Sequence, residues 1–164
     1  PNAAEGMGYG ALHELATRIA PFHPGELLTD RDYGFKIMKR VAADENFHYL
    51  FYRDLVSEAI KVDPSALVIA IEAQVRDFEM PGTGIPGFAA HAKAIAKARI
   101  YDTQIHHEQI LVPVVLRKWG VESLEGLTPE AEKARDALVK RIDRIGRIAA
   151  KIAERTARND LVGV

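Results

Sequence analysis

Apolar positions recur along this chain at spacings of three and four, the signature of helices that bury one face. The strongest case lies between about residues 30 and 62. There Ile37, Val41, Glu45, His48, Tyr52, Leu55, Ala59 and Val62 share one face. At a rise of about 1.5 Å per residue this predicts a helix about 50 Å long. A shorter pattern, 11–20, precedes it and is expected to end at Pro21 and Pro24. Asp63-Pro64 then restarts the chain, Asp63 as N-cap and Pro64 as first helical residue. The helix that follows, 65–79, directs Leu67, Val68, Ile71 and Val75 inward. Residues 80–87, rich in Gly and Pro, form a loop. Two helical stretches, 88–98 and 100–119, come next; Pro113 is expected to kink the second, and Gly120 to cap it. Thr128-Pro129 opens a last helix through about residue 155, with Leu138, Ile142, Ile145, Ile148 and Ile152 in one stripe and a solvated Lys/Arg face opposite. The tail, 159–164, is expected to fray. Strand alternation is absent from the sequence, so the prediction is an all-α fold with 1–164 as a single helical domain or fragment.

Composition narrows the function classes. The chain has 164 residues, enough for one compact domain, and a formal net charge of -1 from 22 basic and 23 acidic residues. That balance gives no pull toward nucleic acid or an anionic membrane. Without any Cys, disulfides, thiolate zinc sites and thiol nucleophiles are excluded. No apolar run approaches the roughly 20 residues that span a bilayer. A soluble, cytoplasmic protein is the expectation. The start, Pro1-Asn2, lacks an initiator Met and the features of a signal peptide, and reads like a cut inside a longer chain.

Candidate chemistry concentrates on the long helix. Glu45 and His48, three apart, lie one turn apart on one side of it, within its apolar stripe. A carboxylate and an imidazole turned toward a core need compensation, which a metal ion supplies. Glu-x-x-His is the element that helical di-iron proteins contribute from two of four helices, with a lone Glu from each of the others. By itself the motif arises by chance, and Glu14, a lone Glu on the preceding helix, means little alone. Together, in this order, they amount to three ligands of a di-iron site.

The wider sequence resembles the soluble acyl-carrier-protein desaturases, plastid-type enzymes and their actinobacterial relatives. Ala42-Ala43-Asp44-Glu45-Asn46-Phe47-His48 is similar to the family's Ala-Ala-Asp-Glu-x-x-His signature. Glu14-x-x-Thr17 is similar to its lone-Glu helix. Asp63-Pro64, Trp119-Gly120-Val121 and Gly126-Leu127-Thr128 resemble later landmarks. The resemblance implies a ferritin-like di-iron helical bundle, of which this chain would be the C-terminal half with flanking helices. It implies Glu14 as a metal ligand, Glu45 as a bridging ligand and His48 as a terminal one, and Thr17 as a catalytic residue delivering protons beside the metals. Asp44 would orient an imidazole from the first half, and Gly6 and Tyr9 would lie near the acyl channel. The activity implied is O2-dependent insertion of a double bond into an acyl chain held on acyl carrier protein, with two Fe(II) ions (manganese as substitute), a ferredoxin-type electron donor and a homodimeric enzyme.

The departure is equally specific. The family's first half supplies a further lone Glu and a further Glu-x-x-His, and Glu45-x-x-His48 is the single such motif here. A chain with three of six ligands is expected to be inactive alone. Three rival readings follow: a catalytically inactive structural or binding fragment, a homodimer pooling two half-sites, and a ferritin-like oxidase with another substrate. His106, His107 and Glu108 are adjacent and cannot all face one metal. His13, His23 and His91 have no partner at a ligand spacing.

Overall fold

The computed structural model describes residues 3–27, 33–79 and 83–162, with side chains described outside 21–27 and 159–162. Among the described residues every regular element is helical. They are α1 (Ala3–Leu27), α2 (Tyr33–Val62), α3 (Pro64–Arg76), α4 (Phe88–Lys97), α5 (Thr103–His106), a π-helical segment (His107–Lys118), a single 3-10 turn (Val121–Ser123) and α6 (Pro129–Val162).

Local signals explain several boundaries. Asp63 accepts from the Ala66 N–H at 2.9 Å and Pro64 fills the first helical position, so α3 starts where the sequence predicts. Leu67, Val68, Ile71 and Val75 are all buried. Thr128 caps α6 by accepting from the Ala131 N–H, and Gly120, at φ 60, takes the left-handed conformation expected of a cap.

Other expectations need correction. The first helix begins at Ala3 rather than near residue 11 and continues through Pro21 and Pro24 to Leu27. The stretch 100–119 is not one kinked α-helix. Asp102 caps a new start by accepting from the Ile105 N–H at 2.8 Å. From His107 the turns widen, so that Trp119 N–H reaches the Val114 carbonyl five residues back. Pro113 has no N–H and its ring crowds the carbonyl four residues earlier; a wider turn accommodates both defects. The last helix continues to Val162, past the predicted end and through part of the expected frayed tail. Residues 80–82 of the predicted loop lie outside the described residues, and 83–87 form turns.

One core joins these elements. Leu12, Leu15 and Ala16 of α1 meet Val56 and Ile60 of α2, Val68 and Ile71 of α3, Ile110, Leu111, Val114 and Val115 of the π-helical segment, and Leu138 and Ile142 of α6. Glu72 is the buried carboxylate in this core, and its charge is answered by Arg76 at 2.7 Å and Arg141 at 3.8 Å. No helix among the described residues is long and apolar enough to cross a membrane.

The long helix departs most from expectation. Its buried residues are Ala42, Val56 and Ile60, with Tyr49 and Tyr52 partly buried against the core. That face lies about a quarter turn from the predicted stripe. Ile37 (58% exposed), Val41, Leu55 and Val62 instead face outward, with Phe51 (63% exposed) among them. Helix α2 is apolar over a wider arc than α1 and its neighbours can cover.

Candidate metal centre

The site is built where α1 and α2 run antiparallel. Gly10 faces the Tyr52 ring, Glu14 faces His48 and Thr17 faces Glu45, one turn at a time. Gly10 is the residue that lets the helices come this close. A Cβ there would sit 2.9 Å from the Tyr52 ring, inside any normal contact distance. Sequence reasoning missed this residue, although a Gly in a helix interior is a signal of close approach.

Glu14, Glu45 and His48, the three predicted ligands, do converge. One donor atom from each lies within 4.8 Å of the other two. His48 Nδ1 stands 3.3 Å from a Glu14 oxygen and 3.4 Å from a Glu45 oxygen. Both carboxylates are largely covered, at 21% and 24% exposure, whereas the imidazole is 59% exposed. The site therefore opens onto the bare face of α2.

Electrostatics show two carboxylates sharing one space. Burial, followed by the hydrogen bond and charge of Glu45, holds Glu14 above the ordinary carboxylate range. Glu45 is held below it, first by the hydrogen bond from Glu14, then by His48 and Thr17 acting against burial. Of the two, Glu45 ionises more readily and Glu14 less readily than a free carboxyl. Partial burial pulls the His48 imidazole down, but hydrogen bonds and charges from Glu45 and Glu14 outweigh it and leave His48 raised.

These donors fit a divalent cation. Two carboxylates and one imidazole form the oxygen-rich, mixed set that iron and manganese accept. Like charges this close are compensated by a positive ion at their centre, the place now approached by His48 Nδ1. Three donors leave most of a six-coordinate sphere to be filled from elsewhere.

The remaining predicted residues divide. Thr17 Oγ1 lies 3.1 Å from the carbonyls of His13 and Glu14 and also lowers the Glu45 carboxylate; its one hydrogen serves one of these acceptors at a time. Asp44 accepts from Arg40 Nε at 3.0 Å on the open side of α2. Tyr9 stacks on His13 at 5.0 Å between ring centroids, and Gly6 is exposed one turn before it. His106 and His107 diverge. His106 accepts or donates at 2.7 Å to the Tyr101 hydroxyl and packs on Phe78, and burial pushes its pKa down to about 4. His106 is therefore neutral, with one ring nitrogen a donor and the other an acceptor. The His107 ring fills the space above Gly146, where a Cβ would come within 2.7 Å of it. The His23 side chain lies outside the described residues.

Comparison with known proteins identifies the family. A family model described as fatty acid desaturase matches residues 2–162. The chain is 35% identical over 130 residues, 79% of its length, to DesA1 of Mycobacterium tuberculosis (strain ATCC 25618 / H37Rv), whose name assigns it provisionally to the acyl-[acyl-carrier-protein] desaturases. It is 30% identical over 92% of its length to acyl-[acyl-carrier-protein] desaturase 6, chloroplastic, of Oryza sativa subsp. japonica. It is also 30% identical over 96% of its length to stearoyl-[acyl-carrier-protein] 9-desaturase 4, chloroplastic, of Arabidopsis thaliana. The matches cover 38%, 38% and 41% of those proteins, so the chain spans about two fifths of the length of the curated relatives it matches. By the match over residues 2–162, the chain belongs to the fatty acid desaturase family, and its all-α architecture is the ferritin-like helical arrangement of that family.

Proposed function

We propose that this chain furnishes half of the ligands of a two-iron centre that desaturates acyl chains held on acyl carrier protein. The observation that supports it is the convergence of Glu14, Glu45 and His48 to within 4.8 Å at the open face of α2. Glu14, Glu45 and His48 would hold the metal, with Glu45, approached from both sides, in the bridging role. When bound, the ions supply oxygen activation and removal of hydrogen from two adjacent methylene groups, with electrons from a ferredoxin-type donor; manganese is the expected substitute.

The chain's own residues have definite tasks in this reading. Glu14 and Glu45 would both meet the cation as carboxylates, which favours binding as pH rises. Thr17 holds a hydrogen beside the Glu45 carboxylate and is the group placed to pass a proton there. Asp44, freed from Arg40, would accept from an imidazole brought by the other half of the site. Leu12 and Leu15 keep water from the inner side of Glu14. The surface around Gly6 and Tyr9 would be the acyl-channel side.

Anaerobic calorimetry with ferrous iron tests the proposal. Binding that disappears in Glu14→Ala and in Glu45→Ala supports it. Absence of binding by the folded chain favours the second reading, a non-catalytic fragment, for which the shortage of ligands and the open face speak.

A further inference from the structure

We infer, on the metal reading above, that Trp119 is a positioning residue for the metal centre: its indole N–H fixes the seat of α2 on the core, and with it the places of Glu45 and His48 relative to Glu14.

The side chain is held from the core side, by residues of this chain alone. Trp119 closes the π-helical segment, where its own N–H reaches the Val114 carbonyl at 2.9 Å, and Gly120 turns the chain away immediately after it at φ 60. The ring is 4% exposed and shares one core with Val56 and Ile60 of α2. Its Nε1–H donates to the Arg53 carbonyl at 3.1 Å. Arg53 lies five residues, about 7.5 Å of helix rise, beyond His48.

This bond differs in kind from the other contacts that hold α2. Ala42, Val56 and Ile60 are buried apolar contacts, which resist separation but have no preferred direction. A hydrogen bond has one, and it weakens steeply as donor and acceptor fall out of line. A small rotation or slide of α2 keeps most of the apolar burial and breaks the bond to Trp119. The Lys118–Asp54 pair beside it, at 3.7 Å with both side chains about half exposed, is too wet to fix a register. The approach of Gly10 to Tyr52 sets how near α1 and α2 come. Trp119 sets how α2 is turned and how far along it sits.

The π-helical segment is also a common reference for both ligand helices. Its Ile110 and Leu111 share the core with Leu12 and Leu15 of α1, which flank Glu14. Trp119 bonds the end of that same segment to the helix of Glu45 and His48. Ser57 Oγ donates to the same Arg53 carbonyl at 2.9 Å, but from four residues along the same helix. The two donors form a matched pair: Ser57 ties α2 to itself, and Trp119 ties it to the core.

The experiment is anaerobic calorimetry of ferrous iron on the full chain and on three variants, each checked for helicity by circular dichroism and by two-dimensional amide NMR without metal. Trp119→Phe keeps a buried ring and removes the donor. It is expected to lower iron affinity about tenfold, the lower end of what losing a partner behind a ligand costs. It is also expected to shift the Glu45 and His48 amide resonances of the metal-free chain. Ser57→Ala removes the intrahelical donor, and Ile142→Val removes core volume elsewhere. Both are expected to keep wild-type iron affinity, Ile142→Val in spite of a lower urea midpoint. A Trp119→Phe chain that binds iron as tightly as the wild type overturns the positioning role and leaves the metal reading standing. Equal losses of affinity in Trp119→Phe and Ile142→Val also overturn it, because general destabilisation then accounts for both. A wild-type chain that binds no iron overturns the metal reading; Glu45 and His48 amides that stay in place in Trp119→Phe then overturn the seat as well, and amides that move uphold it.

Discussion

Helices α2 and α6 carry the same kind of apolar stripe and meet opposite fates. In α6, Leu138 and Ile142 are fully buried and Ile145 is partly buried, because α3, α5 and the π-helical segment pack across them, whereas Ile148 and Ile152, predicted in the same stripe, are exposed beyond that cover. In α2, the line through Ile37, Val41 and Leu55 is exposed, and the adjacent quarter turn, through Ala42, Val56 and Ile60, is what α1 and α3 cover. The same periodicity therefore states that a face is suited to burial without stating what buries it. The uncovered stripe is also the one that holds the metal donors. In the metal reading proposed above, the further ligands would approach from this uncovered side.

Substitutions can break or sharpen this contrast. The largest effect is expected from the covered stripe. Ile142→Ala should cost about 2–5 kcal/mol in urea unfolding, while Leu55→Ala in the metal-free monomer should cost less than about 1 kcal/mol. Equal losses would mean that the α2 face is already covered in solution. Next comes the site itself. Glu45→Ala should weaken ferrous-iron binding by about 100-fold or more, beyond the roughly 10–100-fold typical of losing an outer-shell partner, with little loss of helicity. Gly10→Val tests the spacing instead of the ligands: by forcing the Tyr52 ring outward it should separate Glu14 from His48 and cut iron affinity about tenfold. Retention of full affinity would show that the helices do not need this approach.

The smallest effect is the pH response of the metal-free triad. His48 is raised in the folded state, so its contribution to stability is present below the ordinary histidine range and fades as pH rises through its folded value. Glu45 is lowered, so its contribution is present above the ordinary carboxylate range and fades on acidification through its folded value. Glu14 is raised and opposes folding once ionised. Side-chain NMR titration should find His48 moving down toward its ordinary value in Glu45→Gln. Iron affinity should rise with pH as Glu14 and His48 lose protons.

Much of the molecule was legible in its residues, and the gaps have physical causes. Asp63-Pro64 places the start of α3 because capping is local chemistry. The triad could be read because i, i+3 spacing and an upstream Glu are themselves sequence facts. The rotation of the α2 burial face was not legible, since it depends on which neighbour arrives. The continuation of α1 through Pro21 and Pro24 runs against local preference. The wide turns around Pro113 reflect relief of a clash whose form, kink or widening, depends on the packing of Ile110, Leu111 and Val114. Tyr101 and His106, five apart, meet only because the chain turns at Asp102.

Trp119 has a use that its burial alone does not suggest. It is the sole tryptophan of the chain, it is 4% exposed, and its indole N–H donates to the Arg53 carbonyl of α2 at 3.1 Å. Arg53 lies five residues beyond His48 on the ligand-bearing helix. The molecule thus carries one indole fluorophore, clamped to the backbone of that helix. Its emission reports, without any label, whether α2 stays seated on the core when ferrous iron is added.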